Sequence, residues 1–302
     1  MLVQCDASPF EWLEDRGPEM SLHGIIDDAT SEVLGLYFRM EEDTIGYMRV
    51  LMQMLVNYGV PCSFYSDRHT IFFSPKMDKL SIEEELSGKT VNLTQFGRSL
   101  DELRITHIPA RSPQAKGRIE RLWETLQGRL VIELRLAGIS DLEGANAFLP
   151  SYLPRFNKRF AVAAADPDAA FRPVPSPAVL SRIVCFKDER KASNGSTIAF
   201  LGNTYRLIDQ RGNAALLYLR SKVTVLTQLD GSTSALYKDN PYCLEACIRQ
   251  PSVSERQAPA VQEQVKSVKP AKDNPWRNFK FGKTLNRSGG AVLSNIKVPI
   301  QQ

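Results

Sequence analysis

Residues 111–121 read Arg-Ser-Pro-Gln-Ala-Lys-Gly-Arg-Ile-Glu-Arg. Pro113 suits the first turn of a helix, where its missing N–H is no loss. Downstream, Ile119, Leu122, Trp123, Leu126, Leu130 and Leu134 recur at helical spacing and mark a buried stripe. Lys116, Glu120 and Glu124 fall every four residues on an adjoining face. That face can carry one carboxylate toward a sheet edge, with a cation one turn before it. Gly117 inside the helix costs about 1 kcal/mol relative to Ala, which is tolerable where something large, such as a nucleic acid backbone, must approach closely. Periodicity alone favours an ordinary amphipathic helix with surface ion pairs.

The segments upstream supply a sheet for this helix to pack on. Leu2–Asp6, Ser21–Asp27 and Glu32–Arg39 have the composition of strands, the last two joined by a polar turn at 27–31. A helix is expected from Asp43 to Tyr58, with Ile45, Met48, Leu51, Met52 and Leu55 on its inner face and Gly59 and Pro61 as its stop. The methionines there are core filling. Cys62–Ser66 is a strand that ends on Asp67, 74–97 is charged and irregular, and Arg104–Ile108 is a fifth strand. Helices follow over Pro113–Leu136 and Leu142–Asn157. This order predicts an α/β fold, a mixed five-stranded sheet flanked by helices.

A strand ending in Asp67 presents a carboxylate at the C-terminal edge of the sheet, where open α/β sheets place their ligands. Asp6, read as the end of the first strand, does the same. Converged carboxylates repel one another unless a cation sits between them, and such hard oxygen donors suit Mg²⁺ or Mn²⁺. Taken singly, an Asp before a polar loop is usually a turn residue.

Beyond residue 165 the pattern changes. Pro167, Pro173, Pro175 and Pro177 mark a linker over 166–182. Short strands at 197–200, 203–208, 215–219, 222–229 and 234–238 predict a small β-barrel over 183–247. Residues 248–302 have the composition of a disordered tail. From residue 251 onward the chain holds nine Lys or Arg against three acids, while the whole chain is only +4. A basic tail on a near-neutral body fits contact with a polyanion such as nucleic acid, and equally a solubilising tail. No run of about 18 apolar residues predicts a membrane span, and the N-terminus lacks a signal-peptide pattern. Five scattered cysteines form no disulfide framework, and a reducing cytoplasm is expected. Cys243 and Cys247 lack partners for zinc.

Three stretches together resemble a family. Gln4-Cys5-Asp6, Tyr65-Ser66-Asp67-Arg68-His69 and Ser112-Pro113-Gln114-Ala115-Lys116-Gly117-Arg118-Ile119-Glu120-Arg121 resemble the signatures of retroviral-integrase-like DDE transposases, and especially bacterial insertion-sequence transposases of the ISNCY type. The third stretch is the specific one. The resemblance spans residues 1–180 and implies an RNase H-like catalytic core over 1–165, followed by the β-barrel. It implies Asp6, Asp67 and Glu120 as catalytic residues and ligands of two Mg²⁺ or Mn²⁺ ions. It also implies cleavage and strand transfer of double-stranded DNA, at transposon ends and target, by a homo-oligomer. Lys116, Arg118, Arg121, Gln114 and His69 are the candidates for DNA contact. Asp67 and Glu120 lie 53 residues apart, more than in retroviral integrases, which fits an insertion at 74–97. A helix-turn-helix reader of transposon ends, usual in the family, is missing upstream of Asp6. That leaves a truncated, non-catalytic DNA-binding or inhibitory product as the alternative, with an RNase H-like nuclease on RNA–DNA hybrids as a third reading.

Overall fold

The computed structural model describes residues 1–74, 92–110, 117–166 and 170–247. Lys116, Gln114 and the basic tail therefore lie outside the described residues.

Five strands form the first sheet: β1 (Leu2–Phe10), β2 (Met20–Asp27), β3 (Val33–Arg39), β4 (Ser63–Ser66) and β5 (Thr106–Pro109). Their spatial order is β3-β2-β1-β4-β5. The first three pair antiparallel, and β1–β4 and β4–β5 pair parallel. Parallel neighbours need crossovers. Helix α1 (Thr44–Asn57) lies between β3 and β4 in the chain, and α2 (Gln95–Glu102) lies between β4 and β5. Helices α3 (Gly117–Leu136) and α4 (Leu142–Phe160) follow. This is the mixed five-stranded sheet flanked by helices expected from the element order, and the RNase H-like arrangement that the family resemblance implies.

Strand alternation divides the core in two. Val3 and Cys5 join Met48, Leu51, Met54, Phe64 and Phe96 under α1 and α2. Leu22, Leu36 and Phe38 meet Ile119, Trp123, Leu126 and Phe156 under α3 and α4. The inner methionines of α1 are indeed packing. Asp43 caps α1 by accepting from Gly46 N at 2.7 Å. Gly46 lies flat against the His23 ring, where a Cβ would come within 2.5 Å of it.

Strand β3 is an edge, and three side-chain amides cover it. Asn157 accepts from Val33 N and donates to Val33 O. Asn146 treats Phe38 in the same way, and Gln53 accepts from Leu36 N. Main-chain groups that would otherwise invite a foreign strand are thus bound.

Helix α5 (Pro177–Ile183) occupies part of the stretch expected to be linker; proline at its first position favours the helix it was expected to break. A second antiparallel sheet follows, in the order β6-β9-β10-β11-β8-β7, around its own small core. It is barrel-like, as expected. Its strands are β6 (Phe186–Lys191), β7 (Thr197–Phe200), β8 (Asn203–Ile208), β9 (Lys222–Thr227), β10 (Thr233–Tyr237) and β11 (Asn240–Ala246). The stretch 215–219 is not a strand: Leu217 is buried in the small core, but Leu216 and Tyr218 are 87% and 75% exposed, and the run meets β8 through Ala215 N donating to Leu207 O rather than through a continuous ladder. Strands β6 and β11 were not expected. The charged Lys187-Asp188-Glu189-Arg190 run in β6 hides its pairing with β9. Residues Met1–Arg249 form one compact unit. No described helix is long and apolar enough to cross a membrane.

Candidate active site

Asp6 does not end its strand. It sits in the middle of the nine-residue β1, paired with Gly24 of β2. The hydropathy pattern fades after Asp6, but main-chain pairing continues from Ala7↔His23 to Phe10↔Met20. Parallel pairing with β4 covers only Leu2↔Ser63, Val3↔Phe64 and Gln4↔Tyr65. Continued two steps beyond the observed pairs, that register would bring Asp6 level with Asp67. Asp67 follows the last residue of β4, as expected, and both aspartates are half-buried.

The carboxylate of Asp67 shapes its own loop. Its Oδ1 accepts from His69 N at 2.9 Å, and His69 Nδ1 accepts from Ile71 N at 3.4 Å. His69 thus organises the loop, with its side chain exposed. Just before it, buried Ser66 is hydrogen-bonded to His107 Nε2 at 2.8 Å, and Phe73 stacks on the His107 ring at 4.3 Å. Burial lowers the His107 pKa to about 4, so this imidazole is neutral near pH 7.

Helix α3 crosses the same face of the sheet. Trp123 Nε1 donates to Asp6 Oδ2 at 3.4 Å. The indole lies over Gly24, where a Cβ would stand 2.7 Å from Trp123 Cη2. One turn before, Ile119 N donates to Gln4 Oε1, and one turn after, Gln127 Nε2 donates to Ser8 Oγ. Glu120 is exposed. At about 100° per residue it shares the helix flank of Trp123 and Gln127, the flank that faces β1. Arg118 projects from the opposite flank, where it reaches Asp28 at 3.3 Å and Ser31 at 2.8 Å in the β2–β3 turn. Arg121 is exposed and donates to Gly117 O.

The register of β1 and β4 thus points Asp6 and Asp67 toward one level of the sheet, and Glu120 lies on the flank of α3 that bonds β1. Among the described residues, no three His, Cys, Asp or Glu side chains are close enough together to hold a metal ion as they stand. The helical spacing marks Trp123 as core and assigns no role to Gln4. Trp123 touches Asp6, and Gln4 bonds the residue before Glu120; these contacts join elements more than a hundred residues apart, which no local pattern shows.

No family model matches the chain. A putative transposase, y4bF, of Sinorhizobium fredii is 40% identical over 200 residues, covering 66% of this chain and 42% of that one. A transposase for insertion sequence IS1202 of Streptococcus pneumoniae is 32% identical over 290 residues, covering 95% of this chain and 60% of that one. The chain thus spans about half the length of these relatives. Among solved structures, the catalytic core domain of HTLV-2 integrase, described as a complex with magnesium, aligns with TM-score 0.35 and 16% identity over 48% of this chain and 79% of that one. So low a score adds nothing to the strand order. The resemblance carried by the motifs around Asp6, Asp67 and Glu120 is matched by relatedness across the chain, which is similar in sequence to insertion-sequence transposases.

Proposed function

We propose that this chain is the catalytic region of a DDE-type DNA transposase, with Asp6, Asp67 and Glu120 as its acidic triad. The observation that supports the reading is the parallel register of β1 and β4, which when continued brings Asp6 and Asp67 to one level, together with the bond from Trp123, on the helix of Glu120, to Asp6. Two carboxylates on neighbouring strands and a third across from them make an all-oxygen donor set, which fits Mg²⁺ or Mn²⁺. When bound, a pair of such ions activates the attacking oxygen and stabilises the leaving 3′ oxygen of a phosphodiester. The chain's own residues hold and orient. Trp123 donates to Asp6 Oδ2 and so orients that carboxylate. The loop after β4 likewise holds Asp67 through Oδ1. Arg121 and Lys116 flank Glu120 and contact DNA phosphates, whereas Arg118 first has to leave Asp28. The substrates are transposon ends and target duplex, met by an oligomer of the chain.

Asp67→Asn tests the reading. It is expected to abolish Mg²⁺-dependent nicking and joining of duplex DNA while the circular dichroism spectrum is unchanged. Equal activity in the variant removes the triad assignment. DNA binding without any metal-dependent cleavage by the unmodified chain favours the non-catalytic alternative.

A further inference from the structure

Gln4 stands two residues before Asp6 in the first motif. It is 4% exposed, on the same face of β1 as Asp6, and both ends of its amide are used. Nε2 donates to Asp28 Oδ1 at 2.7 Å, and Oε1 accepts from Ile119 N at 3.2 Å. Flipping the amide would set its oxygen against a carboxylate and its NH₂ against an N–H, so the partners dictate its orientation. Ile119 lies in the first turn of α3, where main-chain N–H groups have no acceptor within the helix. Gln4 supplies that acceptor, at the residue immediately before Glu120.

The bond is one of three. Gln4–Ile119, Asp6–Trp123 and Ser8–Gln127 link β1 to α3 at steps of two strand residues and four helix residues. Two strand residues advance about 6.6 Å and four helical residues about 6 Å. The two repeats nearly match, so helix and strand run side by side in register, with one contact per turn. Of the three contacts, Gln4–Ile119 lies nearest in the chain to Glu120. It is itself braced, because Asp28, which holds Gln4, also pairs with Arg118 of the same helical turn.

We infer that Gln4 is a positioning residue for the metal site: it sets the register of α3 on β1, and so the place of the Glu120 carboxylate relative to Asp6. The inference rests on the acidic triad proposed above. Gln127, two turns further on, only fastens the helix.

The test uses the full 302-residue chain and Mn²⁺ alone as probe, with free ion read by its electron paramagnetic resonance signal and folding followed by circular dichroism. Wild type is expected to bind Mn²⁺ more tightly than Glu120→Gln; if the two bind alike, the triad reading itself falls. Gln4→Leu, close in volume and lacking both hydrogen bonds, is expected to weaken Mn²⁺ binding by about tenfold or more, the scale seen when a residue orienting a ligand is lost. Gln4→Asn, too short to span both partners, answers the same question if the leucine variant does not fold, and is expected to weaken binding as well. Gln127→Ala is expected to bind Mn²⁺ as wild type does. Wild-type affinity in folded Gln4 variants overturns the inference and leaves the triad standing. An equal loss in Gln127→Ala overturns it too, because the effect would then belong to helix packing in general.

Discussion

The indole N–H of Trp123 donates to Asp6 Oδ2 at 3.4 Å while the ring lies over Gly24, the residue paired with Asp6 on β2. Strand pairing, close backbone approach and the proposed chemistry meet at this one point. A glycine is needed there because the helix carrying Glu120 approaches β2 through a flat ring, with no room for a side chain beneath it.

Gly24→Ala should therefore displace the ring. Its Cβ would stand 2.7 Å from Trp123 Cη2 and 3.1 Å from Leu36 Cδ2. Overpacking of this kind costs about 1–3 kcal/mol. Urea denaturation is expected to show that loss, with a change in the native-state fluorescence of Trp123. Unchanged stability and emission would mean that the indole is not clamped on Gly24.

The stability of the fold should fall in mild acid. Burial lowers the pKa of both His23 and His107 from 6.5 to about 4. Each is neutral when folded, so as pH drops from about 6.5 to about 4 the unfolded chain takes up protons that the folded chain refuses. Stability is full above that window and lost through it, by up to about 3 kcal/mol per histidine. Urea midpoints between pH 7 and pH 4 check this. His107→Gln is expected to flatten part of the slope; a slope identical to wild type would exclude His107 as a contributor.

Asn146→Ala and Asn157→Ala should each uncover part of the β3 edge. Each removes both an acceptor and a donor from one residue of the strand, and an unsatisfied main-chain group costs about 1–3 kcal/mol. Thermal unfolding should shift downward, and light scattering should reveal self-association of the double variant through the exposed edge. A double variant as stable and as monodisperse as wild type would show that the amides do not protect the strand.

Much of the core was legible in the linear chain. The stripe from Ile119 to Leu134, the methionine-rich face of α1 and the Gly59-Pro61 stop are local signals, set by helix period and by backbone dihedral and hydrogen-bonding limits. They set the five strands of the first sheet and its long helices in order, while α5, β6 and β11 escaped them, and the motifs around Asp6, Asp67 and Glu120 marked the residues of the candidate site. What tertiary structure decided is how those residues stand to one another. Asp6 reads as a strand end because hydropathy fades after it, yet β1 runs on to Phe10, since main-chain pairing with β2 does not depend on side-chain polarity. Arg118 and Glu120 are near neighbours in the chain but project from opposite flanks of α3, and the β2–β3 turn that binds Arg118 is far away in sequence. The roles of Gln4, Gly24 and Trp123 depend on a helix and a strand more than a hundred residues apart keeping nearly equal axial repeats side by side. A local pattern carries no trace of that match, because it exists only once both elements share one face of the sheet.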